Sequence, residues 1–187
     1  MGGCATVFGY GLGQYGGDVI ALCRAFQREG VEVWIDGGWG VDALLGEQTR
    51  GHTDLDLAIR DCDVPALLEI LAPLGFAQTP RDDDVDWNFV LSDKLGRSVD
   101  VHAFIFDAKG YAILGDPALS MMYPLGALEG CGTVGDLAVR CVAAPFVLQF
   151  RASFPPRGVD HHDVAALCNR FGLPVPSPFR ATMSTKT

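Results

Sequence analysis

The chain has 187 residues, 49% of them hydrophobic, and a formal net charge of −9. That length suits one domain with a well-filled core, and no apolar run is long enough to span a bilayer. The acidic balance argues against a nucleic-acid partner, which needs a basic face, and favours metal ions and amine-bearing small molecules. The N-terminus lacks a basic segment followed by a long apolar one, so a cytoplasmic protein is expected. The six cysteines (Cys4, Cys23, Cys62, Cys131, Cys141, Cys168) form no CxxC pair and read as reduced thiols.

Residues 1–16 are glycine-rich and aperiodic, a loose lead-in. A helix fits Asp18 to Glu29, where Val19, Leu22, Cys23 and Phe26 repeat at helical spacing and Gly30 ends the run. Val31, Val33 and Ile35 then alternate with polar or outward positions as a half-buried strand. Gly37 and Gly38 break it, a short helical run carries Val41, Leu44 and Leu45, and Gly46 stops that run. Thr53 to Ile59 reads as a second strand, with Leu55, Leu57 and Ile59 on one face and Asp54 and Asp56 on the other. Asp63 is placed as an N-cap ahead of Pro65 for a helix buried through Leu67, Leu68, Ile70, Leu71 and Leu74.

The run Arg81 to Asp86 is a charged loop. Strands follow at Trp87 to Leu91 and Arg97 to Phe106, joined by a tight turn. In the second, Val99, Val101, Ala103 and Ile105 face one way, and Asp100, His102, Phe104 and Phe106 the other. Tyr111 to Leu114 can add a short strand, 115–129 is irregular, and Leu137, Val139 and Cys141 alternate in a last strand. Ala144 to Phe154 reads as a helix ended by Pro155 and Pro156. Asp160 caps a closing helix striped by Val164, Leu167, Cys168 and Phe171, and a loose tail begins at Pro174. The expected division is a core over 18–143, a helical segment over 144–174 packed on the same domain, and loose ends at 1–16 and 175–187.

Two carboxylates at i and i+2 on one strand project side by side and can hold divalent cations. Glycines at the start of a helix let backbone amides approach an anion, which the helix dipole also favours. Asp54 and Asp56 beside Gly37 and Gly38 therefore suggest metal-dependent phosphoryl or nucleotidyl transfer.

The string DGGWGVDALLGEQTR, His52 and DLDLAI resembles the nucleotidyltransferases related to DNA polymerase beta. Within them it more closely resembles the lincosamide and aminoglycoside 2''-nucleotidyltransferases, which VRCV and DHHDVAALCNRFGLPVP near the C-terminus also resemble. The resemblance implies an α+β fold of the polymerase-beta-like nucleotidyltransferase type, a mixed β-sheet backed by helices with a C-terminal helical segment. It implies two Mg²⁺ ions at Asp54 and Asp56, with ATP as co-substrate and AMP moved to a hydroxyl of an antibiotic-like acceptor. It places a third acid on a neighbouring strand, where VDVHAF offers Asp100 as metal ligand, catalytic base or both. Arg50 and His52 match the family string and either touch phosphates or sit in a solvated turn. His102 shares the face of Asp100, either binding substrate or simply packed there.

Where these relatives tend to read His-Thr-Gly-Tyr, this chain has Arg151, Ala152, Ser153 and Phe154, which bears on the choice of drug. A lincosamide is the first expectation for the acceptor. The alternatives are an aminoglycoside, or an inactive nucleotide-binding relative. The resemblance also allows a homodimer.

Overall fold

The computed structural model describes residues 16–116, 118 and 121–180. Of the expected loose ends 1–16 and 175–187, residues 1–15 and 181–187 lie outside them. Among the described residues, nine strands form one mixed sheet: β1 (Val33–Ile35), β2 (Leu55–Arg60), β3 (Ala77–Gln78), β4 (Asn88–Ser92), β5 (Ser98–Phe106), β6 (Ala112–Leu114), β7 (Met122–Tyr123), β8 (Gly130–Val134) and β9 (Leu137–Cys141). Their order is β3-β4-β5-β2-β1-β9-β8, with β6 paired to β5 and β7 to β6. The helices are α1 (Gly16–Arg28), α2 (Gly37–Leu45), α3 (Val64–Leu71), α4 (Ala144–Ala152) and α5 (Gly158–Phe171).

The centre of the sheet positions the site. β2 runs parallel to β5, setting Asp56 opposite Asp100 and Ala58 opposite His102. The alternation in both strands decides which face they share. Leu55, Leu57 and Ile59 lie with Val99, Val101 and Ala103 in a core closed by Val19, Leu22 and Phe26 of α1 and by Leu67 and Leu71 of α3. A one-residue slip of β2 would put three aliphatic side chains in the cleft and bury its acid, so the register is strongly specified. A second core joins Trp34, Ala58 and Phe104 to Val147 and Leu148 of α4 and Val164 and Leu167 of α5.

Several expectations need correction. Gly37 and Gly38, expected to break the strand ahead of the helical run, are themselves the first residues of α2, with Asp36 as the N-cap. Asp63 makes no cap bond and instead accepts from Arg60 Nε at 2.7 Å, because a 3₁₀ turn at Asp61–Asp63 runs directly into α3. Beyond Ala103 the two faces of β5 exchange burial: Phe104 is buried and Ile105 is 63% exposed. There the strand has passed its β4 partner and pairs with β6, while Phe104 packs against Trp34 and Tyr123 on the opposite face. Strand β8 was not expected, since its glycine-containing start shows no alternation. The tail from Pro174 is anchored by a 3₁₀ turn at Ser177–Phe179, with Phe179 fully buried in the second core.

The five described cysteines are free. Among the described residues, no helix is long and apolar enough to cross a membrane.

Candidate active site

Asp36 leaves β1 and caps α2, accepting from the Gly37 N–H at 2.7 Å and from the Tyr123 hydroxyl at 2.9 Å. Its own N–H donates to the Asp56 carbonyl at 2.9 Å, which ties the cap to β2. Burial raises the Asp36 carboxyl above its ordinary value, and the charge of Asp56 adds to the rise. The same surroundings push the Tyr123 phenol well up.

Ligand atoms of Asp56, Asp100 and His102 lie within 4.8 Å of one another. Asp100 Oδ2 accepts from Arg81 Nη1 at 3.3 Å, while its Oδ1 is buried with no hydrogen-bond partner. Burial is the main reason the Asp100 carboxyl is raised; His102 and Arg81 oppose the rise and Asp56 adds to it. His102 Nε2 stands 4.0 Å from Asp56 Oδ1. Its neighbours Asp56, Asp100 and Asp36 raise the imidazole although burial works the other way.

Asp54 falls in the loop just before β2, so the two expected acids do not share one regular strand. Its carboxyl is raised by burial and by the nearby charges of Asp56 and Asp100, and it accepts from the Thr53 hydroxyl at 3.3 Å. The structure thus brings Asp56, Asp100 and His102 together, with Asp54 beside them.

A glycine is required at both positions opening α2. Gly37 has φ +57°, and a Cβ there would land on the Asp56 carboxylate. At Gly38 a Cβ would strike the His52 ring and the Arg50 guanidinium. The pair lets one helix end lie directly against the acid and the basic loop.

That loop feeds a chain of ion pairs. Asp42 accepts from His52 Nε2 and from the Thr49 hydroxyl. Arg50 Nη1 lies 3.0 Å from His52 Nδ1, and since arginine has no acceptor, Nδ1 must accept and Nε2 must carry the proton. Both ring nitrogens are therefore engaged, and His52, expected as a nucleotide contact, lines the smaller cavity while bonded to Arg50 and Asp42. Arg50 grips Asp163 with two bonds of 2.8 Å. Arg151 bridges Asp163 and Asp160 at 3.1 and 2.7 Å. Asp160 is not the N-cap of α5; it lies one turn inside, accepting from the backbone and guanidinium of Arg157.

Two cavities meet here. The larger, about 450 Å³, lies between Asp36, Gly37 and Asp56 on one side and Phe150, Arg151, Phe154 and Arg157 on the other. The smaller, about 280 Å³, is lined by Gly37, Gly38, Asp54, Asp56, Arg50 and both C-terminal arginines. Hard carboxylate oxygens with a buried, unpartnered Oδ1 suit a magnesium ion.

Sequence reasoning missed Asp36, Tyr123, Arg81, Arg157, Asp160 and Asp163 as site residues, and weighed Arg151 only for the choice of drug. For Asp36 a signal existed: an acid directly before a glycine pair and an apolar helical run is an N-cap pattern. Arg157 and Asp160 pair within one turn, whereas Asp163 meets Arg50 from 113 positions away and Tyr123 meets Asp36 from 87.

A sheet pairing two acids across parallel strands beside a glycine-opened helix is the architecture of a nucleotidyltransferase. Two solved structures share the fold at 20% identity. The lincosamide antibiotic adenylyltransferase LnuA, lincomycin-bound, gives a TM-score of 0.72 over 83% of this chain and 97% of that one. ANT(2'')-Ia in complex with adenylyl-2''-tobramycin gives 0.68 over 91% and 97%. A lincosamide resistance protein of Staphylococcus haemolyticus is 23% identical over 80% of this chain and 92% of its own. The aminoglycoside-2''-adenylyltransferase family matches residues 18–167, and the chain belongs to that family.

Proposed function

We propose that the protein transfers AMP from Mg·ATP to a hydroxyl of a small antibiotic, a lincosamide first, with release of pyrophosphate. The observation that carries this is the pairing of Asp56 with Asp100 across β2 and β5, with Asp100 Oδ1 buried and without a partner and Asp56 lining both cavities beside Gly37. Asp54, Asp56 and Asp100 would hold two magnesium ions. Bound there, magnesium supplies charge neutralisation on the phosphates.

In the transfer, the acceptor hydroxyl gives its proton to Asp100 as its oxygen bonds to the α-phosphorus. The bond from that phosphorus to the bridging oxygen breaks, and its electron pair leaves with pyrophosphate. The polyphosphate fits the smaller, polar cavity, and the nucleoside fits the larger one against Phe150 and Phe154. The acceptor approaches Asp100 from the β4 side. His102 contributes a contact to substrate there.

The acting chain is assigned to the cytoplasm, where ATP is available, with no nucleic-acid or membrane partner and with a homodimer allowed. Lincosamide takes first place because the resistance protein matched over 92% of its own length is named for it, as is LnuA, whose TM-score of 0.72 exceeds the 0.68 of ANT(2'')-Ia. An aminoglycoside is the second reading, favoured by the family matched and by exposed Asp82, Asp83 and Asp86 in the loop that carries Arg81 to Asp100.

The test incubates the protein with Mg·ATP and a panel of both drug classes. A drug–AMP adduct with stoichiometric pyrophosphate is expected. Transfer confined to RNA or protein would overturn the assignment.

A further inference from the structure

We propose, resting on the nucleotidyl-transfer reading, that Arg151 and Arg157 clamp the polyphosphate end of the nucleotide and the departing pyrophosphate, with Asp160 and Asp163 as the carboxylates that aim them. The sequence points to Arg50 for this task, but the hydrogen bonds assign it elsewhere. A guanidinium carries five N–H groups. Arg50 commits four: Nε and one of Nη2 to Asp163, and two of Nη1 to the Gly51 carbonyl and His52. Arg151 commits two, to Asp160 and Asp163. Arg157 commits two, both to Asp160 at 3.1 Å. Three donors remain on each of the latter, and one on Arg50.

Placement agrees with this donor count. Arg151 and Arg157 line both cavities, as do Gly37 and Asp56, so they stand at the junction opposite the acid. Their carboxylates occupy i and i+3 of α5, on one face of the helix, and both are buried. Asp163 joins Arg50 to Arg151 and Asp160 joins Arg151 to Arg157, so the forks are aimed before any ligand arrives. A fixed guanidinium fork matches phosphate oxygens and loses little freedom on binding. Arg50 is the strut of this arrangement, and the two C-terminal arginines are its grip.

The test measures calorimetric binding of a non-hydrolysable Mg·ATP analogue, of pyrophosphate and of AMP. It compares the wild type with Arg157→Gln, Arg151→Gln and Arg157→Lys. The Arg157 side chain is 70% exposed, so its loss should leave the fold intact even where Arg151→Gln is unstable. Arg157→Gln should weaken the analogue and pyrophosphate by roughly tenfold or more, as for loss of a charged hydrogen bond, with AMP changed less than about twofold. Arg157→Lys should recover part of that loss, because it restores the charge without the fork. Equal weakening of AMP, or no weakening of any ligand, would overturn the clamp. A wild type that binds no Mg·ATP analogue would overturn the nucleotide reading itself, a distinct failure.

Discussion

The molecule holds two clusters of buried or half-buried aspartates, and they are built in opposite ways. Around the central strands, Asp36, Asp54 and Asp100 are all raised above the ordinary carboxylate value, by burial first, with the charge of Asp56 adding to it. At the C-terminal helices and α2, Asp160 and Asp42 are lowered, since arginine, histidine and hydroxyl partners outweigh burial. The second cluster is satisfied by the protein. The first is left short of positive charge, and its buried Asp100 Oδ1 has no partner. Such a deficit is tolerated where a ligand supplies the missing cation. One cluster is therefore closed by its own partners, and the other is left open to a cation from outside the chain.

Removing acids from each cluster should break the comparison most sharply. Asp100→Asn is expected to lower kcat by roughly 10²–10⁴-fold, the usual worth of a positioned base. Without magnesium, its thermal midpoint should hold or rise as repulsion is relieved. Added magnesium should raise the midpoint of the wild type and not that of Asp56→Asn. Normal turnover in either variant would remove these residues from the mechanism.

In the other cluster the sign reverses. Asp163→Ala leaves Arg50 and Arg151 without their shared buried partner, and should cost about 3–5 kcal/mol in denaturant unfolding. A loss below about 1 kcal/mol would show these pairs behaving like exposed ones.

Gly37→Ala tests the contact between the clusters. A Cβ in left-handed backbone costs roughly 1–3 kcal/mol, and this one would also displace the Asp56 carboxylate. Stability and turnover should therefore fall together. Reduced stability with full activity would mean that Asp56 tolerates the shift.

The two clusters also differ in how far the sequence announces them. Asp56 is flanked by buried Leu55 and Leu57 and Asp100 by buried Val99 and Val101, so the face of each acid follows from period two alone. The glycine pair is equally plain, although its position inside α2 depends on the capping geometry of Asp36. In contrast, Asp160 and Asp163 look locally like residues at the start of an amphipathic helix. Their partners Arg50 and Arg151 arrive from other elements, and no periodicity encodes that meeting. Tyr123 lies in a segment without a pattern and reaches Asp36 only because β6 and β7 extend the sheet. Phe179 shows the same limit, since a short proline-bounded tail reads as loose until the second core receives its ring.

The smallest expected effect sharpens the contrast through acid. Asp160 has a folded-state pKa below its unfolded value, because Arg157 and Arg151 more than offset burial. Between those two values the unfolded chain binds the extra proton, so stability falls as pH drops below about 4, the ordinary carboxylate value. Asp160→Asn should flatten that part of the curve while lowering stability at neutral pH. In the metal-free protein Asp100 has the opposite slope: its raised folded-state pKa means the folded chain takes up the proton first. Stability from this group is gained as pH falls towards its unfolded value, and Asp100→Asn should remove that gain. Denaturant midpoints measured from pH 7 to pH 3 in chelator would resolve both slopes. Identical pH profiles for the two variants would mean that the aspartate clusters do not differ as their surroundings require.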